Sequence, residues 1–404
     1  MNVSETIYSI EFQDMTRDNL DSFLKKVSFH YDIPSIHVAG TNGKSVVSSM
    51  LSNIYRSSGR KVGLFISSNY KRDICEMIQI NGLPISNSEL EAYYNENQKL
   101  FKKYELSPFD IITFIALSYF QKENVDVAII ECGMGGEYDS TNIFIPILSI
   151  ITNVSLEHTE YLGVSLSEIA LHKAGIIKNN IPTLIGEISG DALDVIVDVA
   201  KRKGSKITRI VETHNVNYTE NGISFDYKTY RDLEISNFGN INVKNACLAI
   251  DVIDLLMENL PVDENALKDG LKDKLPKGKF EVIQGDPLFI IDGAHNPDAI
   301  NKLRNDVELL GLEKEVFVIF ATFKDKNITS MLPEIGLLGK VYLTTFNNKR
   351  ARDEFEYFLF LNEYEYNSDY KAIIESIKVE HPDSAIVIAG SNVFASIVSD
   401  EYNK

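Results

Sequence analysis

The run Gly40-Thr41-Asn42-Gly43-Lys44-Ser45 holds the residue types that grip a polyphosphate. Glycines let consecutive backbone N–H groups converge on phosphate oxygens, and a helix N-terminus adds the positive end of its dipole. Lys44 then reaches the β- and γ-phosphates, and the Ser45 hydroxyl binds the Mg2+ that accompanies them. The common form of such a loop has a first glycine where this chain has Val38. The motif therefore depends on its context: a strand must precede it and a helix must follow.

Glu131 closes the apolar run Val125–Glu131 and is followed by Cys132-Gly133-Met134-Gly135-Gly136. A carboxylate at the carboxyl end of a parallel strand lies in the crevice where α/β sheets bind ligands, placed to hold a cation or its waters. The alternative is an acidic strand end facing solvent. His158 follows the run Ile147–Val154 and falls in the same kind of place, although a single histidine is more often a structural residue. Lys173, in Leu171-His172-Lys173-Ala174-Gly175, reads from pattern alone as a solvated helix lysine. Asp292-Gly293-Ala294-His295-Asn296-Pro297 gathers polar side chains at a strand-to-helix turn. That turn is either a site or a capped helix start, with Asn296 as N-cap and Pro297 at the first helical position.

The elements that must position these residues alternate in a βαβ rhythm, which implies a mainly parallel sheet with helices on both faces. Ser35–Gly40, Lys61–Ser67, Val125–Glu131 and Ile147–Val154 read as strands, and Ser45–Ser58 and Phe109–Lys122 as helices. Gly59 stands as a C-cap for the first helix. Leu166–Ile177 reads as a helix opened by Ser165 and Glu168, the spacing of a capping box. Asn215–Tyr227 alternates around Asn221-Gly222, a hairpin signal, and Val243–Leu260 is a long helix.

Leu275–Lys279 then brings Pro and Gly without apolar periodicity, as a linker does, and the rhythm restarts. Strands are expected at Leu288–Ile291, Glu315–Ala321, Lys340–Phe346 and Ser384–Ala389, with helices at Pro297–Leu310, Asp369–Val379 and Asn392–Ser399. The expected organisation is α/β: a large phosphate-loop domain over 1–276, a linker over 277–285 and a smaller, Rossmann-like α/β domain over 286–404.

Composition narrows the partners. The 404 residues carry 40 Lys and Arg against 58 Asp and Glu, a formal charge of −18 shared between both parts of the chain. This argues against coating nucleic acid or an anionic membrane. The three cysteines, Cys75, Cys132 and Cys247, suit neither a disulfide framework nor a zinc site and read as buried thiols. The first residues carry Glu5, Glu11 and Asp14 and no long apolar core, unlike a signal peptide, and no run approaches the ~18 apolar residues of a membrane span. A cytoplasmic protein is expected.

Taken together, GTNGKS, ECGMGGEYDSTN, ITNVSLEHTEYLG, EIALHKAGIIK and FEVI…DGAHNPDA, with INGLPIS at Ile80–Ser86, resemble the folylpolyglutamate synthase/dihydrofolate synthase family of the Mur ligase superfamily. The matches run in order from about Val38 to about Ser391. The resemblance implies an ATP-dependent amide ligase that phosphorylates a folate-like carboxylate and joins it to L-glutamate, releasing ADP and phosphate. It implies ATP and Mg2+ as cofactors and a monomer. By carry-over, Gly40, Thr41, Asn42, Gly43, Lys44, Ser45, Asn245, Lys279 and Asp292 bind ATP. Ser45, Glu131, His158 and Lys173, the last as a carbamate, hold metal. Lys44, Lys173 and His295 are the catalytic set, with His295 approaching the phosphates from the second domain.

The chain departs from the family pattern at several points. Ser-Pro-His is replaced by Ser67-Ser68-Asn69, Asn-Glu-Arg by Cys75-Glu76-Met77 and Gly-Gly-Arg by Gly135-Gly136-Glu137. Those changes bear on the acceptor. His-Gln is replaced by Ile241-Asn242, the Arg of Pro-Gly-Arg by Lys279 and the Asp of Leu-Asp-His by Glu157. Two other functions are compatible with these residues: a Mur-type ligase with a non-pterin acceptor, and a silent nucleotide-binding protein.

Overall fold

Apolar runs too short for helices and flanked by turns become parallel strands covered on both faces. Residues 2–10, 16–67, 74–219 and 222–402 are described here from a computed structural model. An eight-stranded sheet is built from β1 (Ser35–Ala39), β2 (Val62–Phe65), β3 (Ile78–Ile80), β4 (Leu83–Pro84), β5 (Val127–Glu131), β6 (Leu148–Ile151), β7 (Thr183–Ile185) and β8 (Ile207–Arg209). Its order is β4-β3-β2-β5-β1-β6-β7-β8. All pairings from β2 to β8 are parallel, and every residue of β1, β2, β5, β6 and β7 is buried. Two faces of apolar packing explain why these strands read as continuous runs rather than alternations.

β3 and β4 form an antiparallel edge hairpin turned by Asn81 and Gly82, both at positive φ. That is the backbone an Asn-Gly turn supplies. This edge, and the helices Asn87–Lys103, Gly190–Arg202 and Glu264–Lys272, were not anticipated in the sequence. The expected capping boxes are more numerous than foreseen: Ser165 with Glu168, Ser86 with Glu89 and Ser107 with Asp110 all close reciprocally. The helix expected to reach Ile177 ends at Ala174.

A three-stranded sheet of β9 (His214–Thr219), β10 (Gly222–Tyr227) and β11 (Tyr230–Ile235) contains the expected hairpin and adds a third strand. Asn221 of its turn lies outside the described residues. The helix that follows runs Asn240–Leu256, three residues ahead of its expected start.

The second large sheet contains β12 (Glu281–Ile283), β13 (Leu288–Ile291), β14 (Val316–Phe320), β15 (Lys340–Leu343), β16 (Glu365–Tyr366) and β17 (Ala385–Ala389), in the order β12-β13-β17-β14-β15-β16. Only β12 runs antiparallel to its neighbour. Ile290, Val318, Val387 and Ile300 pack on one face, and Ile319, Ile388, Phe394 and Ile374 on the other. The chain divides into two compact units: residues 1–213 with 227–233 and 244–273, and residues 214–226 with 234–243 and 274–404. The α/β architecture expected from the sequence is present in each. No described helix is long and apolar enough to cross a membrane.

Candidate active site

Strand order and register assemble the first unit's site. β1 lies between β5 and β6, all three parallel, with Val38 opposite both Glu131 and Ile150. Their carboxyl ends therefore open on one edge, the ligand edge of such sheets. From β1 the chain enters the loop 40–43 and then the helix Lys44–Ser57. Gly43 is the N-cap residue in a left-handed conformation, φ +83°. An added Cβ there would lie 2.5 Å from the Asn245 Oδ1, so backbone and neighbour both require glycine.

The β6 side holds the loop. Asn153 Oδ1 accepts the N–H groups of Thr41 (3.2 Å) and Asn42 (2.8 Å), and Thr152 donates its hydroxyl to the Asn42 carbonyl (2.6 Å). Thr41 and Ser155 exchange hydroxyl and backbone bonds at 3.2 and 3.1 Å. Lys44 Nζ curls onto the loop, donating to the carbonyls of Gly40 (2.9 Å) and Thr41 (3.3 Å).

The β5 side supplies the carboxylate. Glu131 is 1% exposed, not a solvent-facing strand end, and its Oε1 accepts the hydroxyls of Ser45 (3.2 Å) and Ser67 (2.9 Å). Ser67 leaves β2, the neighbour of β5, at the same sheet edge. Sequence reading passed over its role because nothing linear places it beside Glu131; strand order is the missing signal.

Lys173 corrects the pattern reading. It is 1% exposed, inside the helix Leu166–Ala174 rather than on its wet face. Burial first, and then the charge of Lys44, hold its ammonium down at about 7. Glu157, Cys132 and Asp139 act in the opposite direction. The glycine loop after Glu131 packs against this helix: Glu137 N donates to the His172 carbonyl (2.8 Å), and a Cβ on Gly136 would stand 3.0 Å from the Lys173 carbonyl.

Asp139, buried and not singled out by sequence, shapes that loop by accepting from Met134 N (2.7 Å) and Thr141 Oγ1 (2.5 Å). Behind it, buried His37 meets Thr141 Oγ1 at 2.8 Å and Cys132 Sγ at 3.1 Å. Burial lowers the imidazole to about 3, so it is neutral. Cys75, Cys132 and Cys247 are all buried free thiols, as expected.

His158 adopts φ +49°, a left-handed backbone uncommon outside glycine but one in which histidine is among the enriched residues, and its Nε2 lies 3.5 Å from Glu157 Oε1. Among the described residues no three His, Cys, Asp or Glu side chains are grouped to hold a metal ion. The geometry does bring Ser45 and Glu131 together as hydroxyl and carboxylate. That hard, two-oxygen set fits Mg2+, which keeps waters and takes phosphate oxygens for its remaining positions.

In the second unit, Asp292 is a backbone clamp. Its two carboxylate oxygens accept the N–H groups of Phe280 (2.9 Å) and Ala294 (2.8 Å). Burial raises its pKa, opposed first by the charge of Lys279. His295 Nδ1 lies 2.8 Å from the Gly293 carbonyl, and Lys279 Nζ donates to Asn392 Oδ1 at 2.8 Å. Asn296 caps the helix Pro297–Leu309 through Ala299 N, with Pro297 at its start, as the capped-turn reading expects. Of the departures, Cys75 and Met77 are buried, and Asn242 is buried with its amide on the Phe238 carbonyl (2.7 Å). Ser68 and Asn69 lie outside the described residues.

Residues 38–253 match the Mur ligase middle domain, and residues 278–392 the Mur ligase, glutamate ligase domain. Folylpolyglutamate synthase of Lacticaseibacillus casei is 32% identical over 90% of this chain and 88% of its own. The chain belongs to the folylpolyglutamate synthase/dihydrofolate synthase family of Mur ligases. Dihydrofolate synthase/folylpolyglutamate synthase of Bacillus subtilis is also 32% identical, over 79% of this chain and 78% of its own. Among solved structures, an FPGS–AMPPCP–folate complex superposes with a TM-score of 0.87 at 29% identity, covering 99% of both chains. The family resemblance read from the motifs is thereby established. The phosphate loop and Glu131 lie in the middle-domain match, and Asp292 and His295 in the glutamate-ligase match.

Proposed function

We propose that this protein is an ATP-dependent ligase adding L-glutamate to a folate or dihydropteroate carboxylate, with release of ADP and phosphate. The observation that carries the reading is the Ser45 hydroxyl on the buried Glu131 carboxylate at the mouth of the glycine loop. It rests on family membership for substrate class.

A carboxylate is a poor electrophile. Its oxygen attacks the γ-phosphorus of ATP, the bond to the ADP oxygen breaks, and an acyl phosphate results. The glutamate amine then attacks the carbonyl carbon, loses a proton, and phosphate leaves as the amide forms. The task of the protein is to hold anions together and place them in line. The loop Gly40, Thr41, Asn42 and Gly43 takes the phosphates, its shape fixed by Asn153 on the Thr41 and Asn42 N–H groups, and Lys44 leaves the loop carbonyls to neutralise phosphate charge. Asn245, Lys279 and Asp292 serve the nucleotide side, and His295 the transferring phosphate.

Ser45 and Glu131 would hold one Mg2+; His158 and Lys173 as a carbamate would serve a second. When bound, Mg2+ supplies charge neutralisation between the reacting anions. An amine with pKa about 7 is substantially neutral at neutral pH, and a neutral amine adds CO2 and sheds a proton to give the anionic carbamate. The protein acts as a cytoplasmic monomer whose glutamate-ligase domain follows the linker near 276–286, with residues 214–226 and 234–243 joining it in one compact unit.

The test is ADP release in the presence of ATP, Mg2+, L-glutamate and a panel of pteroates and folates. Acceptor-dependent turnover with that panel is expected. Turnover only with non-pterin acids would assign another Mur-type acceptor, and ATP binding without turnover on any acid would refute the ligase reading.

A further inference from the structure

Lys279 sits in a turn held from several directions within the second unit. Its carbonyl accepts the side-chain amides of Asn237 (2.9 Å) and Asn242 (3.3 Å). The N–H of the next residue, Phe280, goes to Asp292 (2.9 Å), and that of Gly278 to the Glu281 carboxylate. Phe280 pays for this with φ +51° while being 1% exposed. A bulky, buried aromatic in the left-handed region is a strained conformation that persists only where its surroundings over-determine it. What the strained turn presents is the Lys279 side chain.

Its ammonium donates to a side chain carried on a different element. Asn392, in the first turn of the helix Asn392–Tyr402, accepts Lys279 Nζ on Oδ1 at 2.8 Å. Asn392 is brought close because Gly293 has no side chain: a Cβ there would lie 2.1 Å from Asn392 Oδ1 and 2.8 Å from its Cα. The helix does not need Asn392 as a cap. Ser391 performs that task, with its hydroxyl accepting Val393 N (3.2 Å) and its carbonyl accepting Ala395 N (2.9 Å).

We infer that Asn392 is a positioning residue: it fixes where the Lys279 ammonium stands. An arginine carries a rigid, planar fork, whereas lysine is a point charge on a flexible four-carbon stem. A lysine at this position therefore gains from an external acceptor that limits where its charge points. The inference rests on the proposed reading of Lys279 as a nucleotide-side cation.

The experiment is a double-mutant cycle on the full-length protein, reading KM for ATP, kcat and Tm for Lys279→Ala, Asn392→Ala and the pair. Lys279→Ala is expected to raise KM for ATP about tenfold, and Asn392→Ala severalfold, with kcat changed less and Tm within a few degrees of the parent. The double variant should be no worse than Lys279→Ala, because Asn392 acts only through that lysine. Asn392→Asp keeps an oxygen acceptor and suits a helix first turn, so its KM should stay near that of the parent. Lys279→Arg in the Asn392→Ala background should recover most of the loss. Multiplying effects, or an unaffected Asn392→Ala beside an impaired Lys279→Ala, would overturn the positioning role alone. An unchanged KM in Lys279→Ala would overturn the reading on which it rests.

Discussion

The Lys173 ammonium is buried within reach of the charge of Lys44, and that repulsion adds to burial in holding it down at about 7. Two like charges are placed around a site built for anions, and one of them is poised to lose its proton.

This arrangement sets a first prediction, on stability. The folded pKa of Lys173 lies below its unfolded value of 10.5, so between about 7 and 10.5 the unfolded chain binds more protons. Stability contributed through this group therefore rises with pH across that window and is lowest at and below pH 7. In metal-free, CO2-depleted buffer, Lys173→Met should melt higher than the parent at pH 7, and the difference should shrink toward pH 10. Equal melting temperatures at both ends would contradict the buried charge.

The same side chain sets a second prediction, on catalysis. Lys173→Ala should lose turnover by two orders of magnitude or more, about 3 kcal/mol in the barrier. Acetate should restore part of it by standing in for the carbamate. In the parent, depletion of CO2 should lower activity, more so below pH 7, where the ammonium form dominates. Full activity without rescue would remove Lys173 from the mechanism.

The Ser45–Glu131 pair predicts a metal phenotype. Glu131→Gln keeps the shape and can still accept the Ser45 and Ser67 hydroxyls, but loses the charge. The Mg2+ concentration for half-maximal activity should rise at least tenfold, with Tm little changed. An unchanged Mg2+ dependence would leave Glu131 a structural residue only.

Gly43→Ala tests the loop. A Cβ would meet Asn245 at 2.5 Å in a left-handed backbone. The conformational cost alone is about 1–2 kcal/mol, so a lower Tm and at least tenfold weaker ATP binding by calorimetry are expected. Parent-like binding would mean that the loop relaxes freely.

The second unit's clamp predicts a loss of stability, beside any loss of nucleotide binding. Asp292→Ala removes acceptors for two backbone N–H groups, Phe280 and Ala294. A loss of about 2–4 kcal/mol is expected from orphaning buried donors. Denaturant melts measure it, and a change below about 0.5 kcal/mol would deny the clamp.

Much of this molecule was legible along the chain because its signals are local. Gly43-Lys44-Ser45 between an apolar run and an amphipathic one specifies a loop at a helix start, and Ser165 with Glu168 specifies a capped helix; three or four residues contain all the physics needed. The order of the motifs identified the family. The environment of a side chain is not local. Lys173 has the same neighbours in sequence whether it faces water or core, and only the packing of the helix Leu166–Ala174 into the fold buries it. Ser67 becomes a partner of Glu131 only because β2 lies beside β5. The sequence by itself thus determined which chemical groups the protein owns and the secondary elements that carry them. Tertiary structure decided which groups meet and how far each is removed from water. Strand order joins residues far apart in the chain, and burial changes the cost of a charge by more than any neighbour along the sequence.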